Sequence, residues 1–156
     1  MSAIRCDLAG LLREGARGYH PAEASINLLI DHGIWLRRQD FAGAFVVFND
    51  EQSAAVIDWR QAIKALDAGD LPCSTSEAKI LRLAAALDDG PGVVLREVLI
   101  GLDAHNIRLV AQAVLHANGT TNGTVTVPEP GRFPPGVRVL DAADNVLQNG
   151  QDEQRP

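Results

Sequence analysis

The sequence predicts a mainly α-helical protein, a compact bundle of five or six helices followed by a small C-terminal β-hairpin appendage. Two observations predict this fold class. Up to about residue 118, apolar residues repeat mostly at helical spacing, in segments bounded by capping residues, Gly or Pro. Beyond that point, Gly, Pro and Thr separate short alternating stretches. We therefore divide the chain into a helical domain at 1–118, an extended or β-rich appendage at 119–150 and a disordered tail at 151–156.

The N-terminal region predicts two helices. The first covers residues 4–14, where apolar side chains share one face, and we expect Gly15 and Gly18 to end it. The second covers residues 21–31 and begins with a proline, whose missing N–H group would have no partner in the first turn of a helix anyway. His20 then belongs to the turn between the two helices.

The segment 34–57 is compatible with two structures. Three phenylalanines in it have helical spacing: Phe41, Phe45 and Phe48. However, residues 45–48 also form a short continuous apolar run with β-branched members, followed by a polar turn and a possible return strand. We favour the helix. The alternative is a hairpin at 44–57, which would change the fold class to α+β.

Two polar signals mark the next pair of helices. Asp58 is expected to cap a helix that ends at Gly69, because its carboxylate can accept the unbonded N–H groups of the first turn. Ser74 and Glu77 have the spacing of a capping box, in which each side chain bonds the backbone N–H of the other residue. The helix that follows this box runs to about residue 88.

The last predicted helix, over 104–117, carries the candidate site. Asp103 is expected to cap it, after a shorter helix over 94–102. At ~100° per residue, all of its polar side chains except Asn106 fall in one strip about 80° wide. The strip consists of His105, Arg108, Gln112 and His116. Nearly all the rest of its circumference is apolar, so we expect neighbouring helices or a second subunit to surround this helix.

Two imidazoles, a guanidinium and an amide on one line could bind a small anion or perform acid–base chemistry. Within this helix His105 and His116 cannot share a metal ion, because they lie roughly 16 Å apart and metal–nitrogen bonds are about 2 Å long. The alternative is that the strip is the solvent-facing edge of the helix or a polar seam in a dimer. Catalytic residues are not clustered anywhere, and no cofactor or metal site is predicted.

The composition restricts the partners. The 156 residues include 20 acidic and 14 basic ones, for a net charge of -6, and only 4% are aromatic. These values argue against nucleic-acid binding, which needs clustered basic groups. Residues 71–103 have the outline of a helix-turn-helix, but the second helix offers only Arg96 for reading DNA bases.

The sequence shows neither an N-terminal signal nor an apolar run of the ~20 residues that a membrane helix needs. We therefore expect a cytoplasmic protein without a membrane partner. Cys6 and Cys73 are then expected to be reduced thiols, although the sequence alone does not decide whether they pair.

From these observations we expect a non-enzymatic protein–protein interaction or scaffold module that self-associates as a homo-oligomer. Two alternatives remain. One is a DNA-binding regulator of the helix-turn-helix type, and the other is an anion-binding protein or enzyme that uses the strip on 104–117.

Overall fold

The computed structural model describes residues 8–120 of the chain. This part is mainly helical, with seven α-helices and one two-stranded antiparallel sheet. The elements in chain order are α1 (Leu8–Ala16), α2 (His20–His32), a 3-10 turn (Trp35–Arg37), α3 (Gln39–Phe45), β1 (Val46–Phe48), β2 (Ala55–Ile57), α4 (Trp59–Ala68), α5 (Thr75–Leu87), α6 (Leu95–Leu99) and α7 (Ala104–Ala117). The predicted C-terminal hairpin, the tail at 151–156, and Cys6 lie outside the described residues.

The described hairpin lies in the middle of the chain. The helix favoured for residues 34–57 is confirmed only at α3. From residue 46 onward this prediction is wrong, because Val46 pairs with Ile57 and Phe48 with Ala55 in an antiparallel sheet. The turn is held by the Asn49 side chain, which accepts hydrogen bonds from the backbone amides of Ser53 and Ala54 at 2.8 and 3.0 Å. A local polar turn and a buried inner sheet face therefore outweigh the helical spacing of the phenylalanines.

Helix α2 is the centre of the bundle, because α1, α5 and α7 all pack against it. Its side chains fill the core together with Trp35 and Phe41, which are both fully buried. One polar contact crosses this core: the buried Ser25 hydroxyl of α2 donates to the Ala84 carbonyl oxygen of α5 at 2.6 Å. The middle of α2 is thereby held against α5 by both apolar and polar contacts.

Helix α7 packs on α2 and α5 with one face only. Asn106, Val110 and Ala113 are buried on that face, whereas 54% of the Val114 surface is exposed on another. Within the described residues, α7 is therefore covered on one side and exposed on the other, so the expectation that neighbours surround it is not met there. None of the helices in this part of the chain combines the length and apolarity that crossing a membrane requires.

The three predicted N-caps are confirmed. The side chain of Asp58 accepts a hydrogen bond from the backbone N–H of Gln61, and Asp103 accepts one from Asn106. Ser74 and Glu77 form both bonds of the capping box. These signals act over three residues of chain, so they operate whatever the tertiary surroundings are.

Gly15 does not end the first helix, because α1 continues to Ala16. Instead, Gly15 lies against the hairpin: a Cβ atom built at this position would be only 2.0 Å from the backbone oxygen of Ala55. The missing side chain allows α1 and β2 to approach closely. Gly15 therefore serves the docking of the hairpin, while Gly18, with a φ of 86°, supplies the left-handed residue after the helix.

Candidate functional site

The predicted strip on α7 does not converge into one pocket. His105, Arg108 and Gln112 are exposed, and His116 is half-buried. The two histidines occupy opposite ends of α7, consistent with the roughly 16 Å expected for eleven helical residues. Most of the strip is therefore the solvent-facing edge of the helix, and only His116 contacts other candidate ligands.

His116 meets two residues at the start of α2. Its Nε2 atom lies 3.0 Å from Oε2 of Glu23, and the same oxygen lies 3.2 Å from Nδ1 of His20. The two imidazole rings are arranged edge to face, with their centroids 6.0 Å apart. We call these three residues the His–Glu–His cluster. They are partly accessible, since 24% of the Glu23 side chain, 31% of His116 and 55% of His20 is exposed.

Helix geometry brings the cluster together. His20 and Glu23 lie three residues apart in the first turn of α2, so both point to the same side of that helix. His116 lies in the last turn of α7. Since the end of α7 touches the start of α2, the two helices pack antiparallel, and residues 93 positions apart in sequence become neighbours.

Two glycines shape the rim of the cluster. The backbone N–H of Gly18 donates to Oε1 of Glu23 at 2.9 Å, which leaves Oε2 for the two imidazoles. Gly119 has a φ of 78°, and a Cβ atom there would lie 3.2 Å from Cδ2 of His20. The chain leaving α7 thus passes directly beside the His20 ring, at a position where a side chain would push that ring away.

Glu23 is held in its charged form. Its pKa is lowered from 4.5 to about 2, chiefly by the hydrogen bond with His116, then by the Gly18 amide and by His20. Each imidazole nitrogen that faces the carboxylate must carry the hydrogen of that contact, because a carboxylate can only accept. The cluster consequently presents one negative oxygen between two exchangeable imidazole protons.

The cluster also has the donor set of a transition-metal site. The three ligand atoms lie within 4.8 Å of one another. Sequence reasoning missed His20 and Glu23, since it placed His20 in a turn and considered only pairs on one helix. The signal that was available is the spacing His20-x-x-Glu23 at the start of a helix, although spacing alone does not reveal that His116 completes the group.

A different set of polar residues surrounds the other end of α7. Burial lowers the pKa of the His32 imidazole at the end of α2; Glu77 and Asp103 raise it, and His105 lowers it. Nδ1 of His32 and Oδ1 of Asn106 are both buried and have no hydrogen-bond partner among the described residues. This end of the helix pair therefore favours a neutral imidazole rather than a charged site.

A concave surface lies between α1, the end of α2, α3 and the hairpin. This hairpin groove has a volume of about 1100 Å³. Its walls are mainly apolar, and they include Leu11, Leu36, Ala42 and Phe48, with Arg37 and Gln52 among the polar members. Phe48 is 47% exposed, although it is an aromatic side chain on the inner face of the sheet.

Comparisons with known proteins identify no relative. No family model, no curated protein and no solved structure gives a significant match to this chain.

The helix-turn-helix outline is not supported by the geometry of its second helix. Helix α6 spans only Leu95–Leu99, five residues, and its one basic side chain, Arg96, is followed directly by Glu97. A reading helix presents several Arg, Lys, Asn or Gln side chains to the major groove.

Proposed function

We propose that this chain is a non-enzymatic interaction module that self-associates, and that the hairpin groove is the surface where a second copy docks. The observation that carries the proposal is the half-exposed Phe48 on the wall of an open apolar groove. Aromatic side chains, Phe included, are enriched in protein interfaces relative to the rest of the surface.

The hairpin offers more apolar surface next to Phe48. Val47 and Val56 face each other across the sheet and are 51% and 52% exposed. They lie on the sheet face opposite to Phe48, because successive residues of a strand point to opposite sides. The hairpin therefore presents apolar side chains on both of its faces, which supports a role in contact with a second chain.

Charge distribution around the groove supports a second copy as the occupant. Arg37 lies on the groove wall, while Asp50 and Glu51 lie at the exposed tip of the hairpin. Within the described residues, none of these three forms a salt bridge. We propose an orientation in which Asp50 and Glu51 of each copy pair with Arg37 of the other copy, which would make a two-fold interface self-complementary. Arg38, by contrast, is already paired with Asp40.

The first test is the molecular mass in solution as a function of concentration, measured by light scattering on the full chain. We expect the mass to rise from 16.7 kDa towards twice that value. Phe48→Asp should shift the transition to concentrations at least tenfold higher, because a charge replaces the anchor in an apolar groove. Leu95→Asp is the matched control, since Leu95 is 61% exposed on α6, outside the groove.

A charge exchange tests the proposed orientation. Arg37→Glu should weaken self-association, and so should the double substitution Asp50→Lys with Glu51→Lys. An equimolar mixture of the two variants should associate as a heterodimer, because attraction is restored across the interface. A monomer at every concentration would refute the proposal, as would equal behaviour of Phe48→Asp and the parent chain.

A further inference from the structure

We propose that His20, Glu23 and His116 bind one divalent transition-metal ion of the zinc type, with two imidazole nitrogens and one carboxylate oxygen as ligands. This inference does not depend on self-association, since the cluster lies at the start of α2 and the end of α7, away from the residues that line the hairpin groove. It adds a metal-binding site to a protein for which the sequence predicts none.

The distances support a shared ion. Two ligand atoms bound to a tetrahedral zinc at about 2.0–2.1 Å are ~3.3 Å apart. Oε2 of Glu23 already lies 3.0 Å from Nε2 of His116 and 3.2 Å from Nδ1 of His20. All three ligand atoms fall within 4.8 Å of one another, so small rotations of the half-exposed rings suffice to surround an ion.

The donor set selects the class of metal. Imidazole nitrogens suit zinc and its neighbours in the first transition row, whereas Mg²⁺ and Ca²⁺ require a set of oxygen ligands. To bind the ion, each neutral imidazole would carry its hydrogen on the ring nitrogen that faces away from Glu23, so that the nitrogen facing Glu23 offers its lone pair. Two neutral imidazoles and one carboxylate around a divalent ion would leave a local charge of +1. A three-residue donor set leaves the fourth tetrahedral position to a water molecule, since the exposed side of His20 faces solvent.

Backbone contacts preorganise the ligands. The Gly18 amide bonds Oε1 of Glu23, which orients Oε2 towards the histidines, as expected of a contact that supports a metal ligand. Gly119 lies against the His20 ring on its other side. Because α2 and α7 each supply ligands, the ion would also connect the start of one helix to the end of the other.

The test is titration of the full chain, freed of metals by a chelator, with Zn²⁺ in a calorimeter, followed by visible absorption with Co²⁺. We expect one Zn²⁺ per chain at this site and a cobalt spectrum typical of tetrahedral coordination. Glu23→Gln keeps the shape of the side chain but removes the anionic ligand, and His20→Ala removes the most exposed one. Each should lower the zinc affinity at least about tenfold.

His105→Ala is the matched control, because His105 lies exposed on the same helix as His116 and outside the cluster. Its zinc affinity should equal that of the parent chain within about twofold. The proposal is overturned if Zn²⁺ does not bind, or if Glu23→Gln and His20→Ala both bind it as tightly as the parent. Circular dichroism of each variant distinguishes loss of a ligand from loss of the fold.

Discussion

Replacement of Gly15 by alanine tests how the hairpin is attached to the bundle. The added methyl group would lie 2.0 Å from the Ala55 carbonyl oxygen, whereas ordinary contacts begin at 3.4 Å. The backbones of α1 and β2 would have to separate by the difference, 1.4 Å along that direction. No flexible side chain can absorb this shift, because the nearest atoms belong to the backbone of β2.

The expected magnitude follows from two opposing effects. Overpacking in a closely packed contact costs about 1–3 kcal/mol, while alanine is favoured over glycine within a helix by roughly 0.5–1 kcal/mol. We therefore expect Gly15→Ala to lower the free energy of unfolding by about 1–2 kcal/mol. Urea denaturation measures this effect as a lower midpoint with an unchanged slope.

Gly43→Ala is the matched control for the same substitution in a helix. Gly43 lies in α3, and a Cβ atom there meets nothing within 4 Å, so we expect a stabilisation of roughly 0.5–1 kcal/mol. Both variants should be measured at a concentration where the parent chain is monomeric, because Gly43 lines the hairpin groove. If Gly15→Ala is as stable as the parent or more so, the close contact between α1 and β2 does not exist as described.

Three further substitutions test single contacts. Ser25→Ala leaves the Ala84 carbonyl oxygen without its buried hydroxyl donor, and we expect a loss of about 1–3 kcal/mol in the free energy of unfolding, measured in urea. Ser74→Ala removes the side chain that caps α5 and should cost about 1 kcal/mol; an unchanged urea midpoint would contradict the cap. Hydrogen bonds and charge attraction from Arg38 lower the pKa of Asp40 below its ordinary 3.8. This contact stabilises the fold above pH 3.8 and is lost as the pH falls below that value, so Arg38→Met should return the Asp40 pKa, measured by NMR titration, towards 3.8.

Local signals in the sequence were sufficient for most helices of the described part. Asp58, Ser74 and Asp103 begin helices as predicted, and α7 spans the predicted residues 104–117. These helices could be predicted because the interactions that start them are short in sequence: a capping side chain bonds an amide only three residues away. Residue type and spacing within one segment are then enough to specify where the helix begins.

Only the tertiary structure decided the features that involve distant parts of the chain. Residues 46–57 form a hairpin whose strand β2 packs on α1, and Gly15 within α1 permits this close contact. His116 contacts Glu23 because α7 packs antiparallel on α2. Such contacts depend on which apolar faces meet when the helices pack, and periodicity along one segment does not specify its partner.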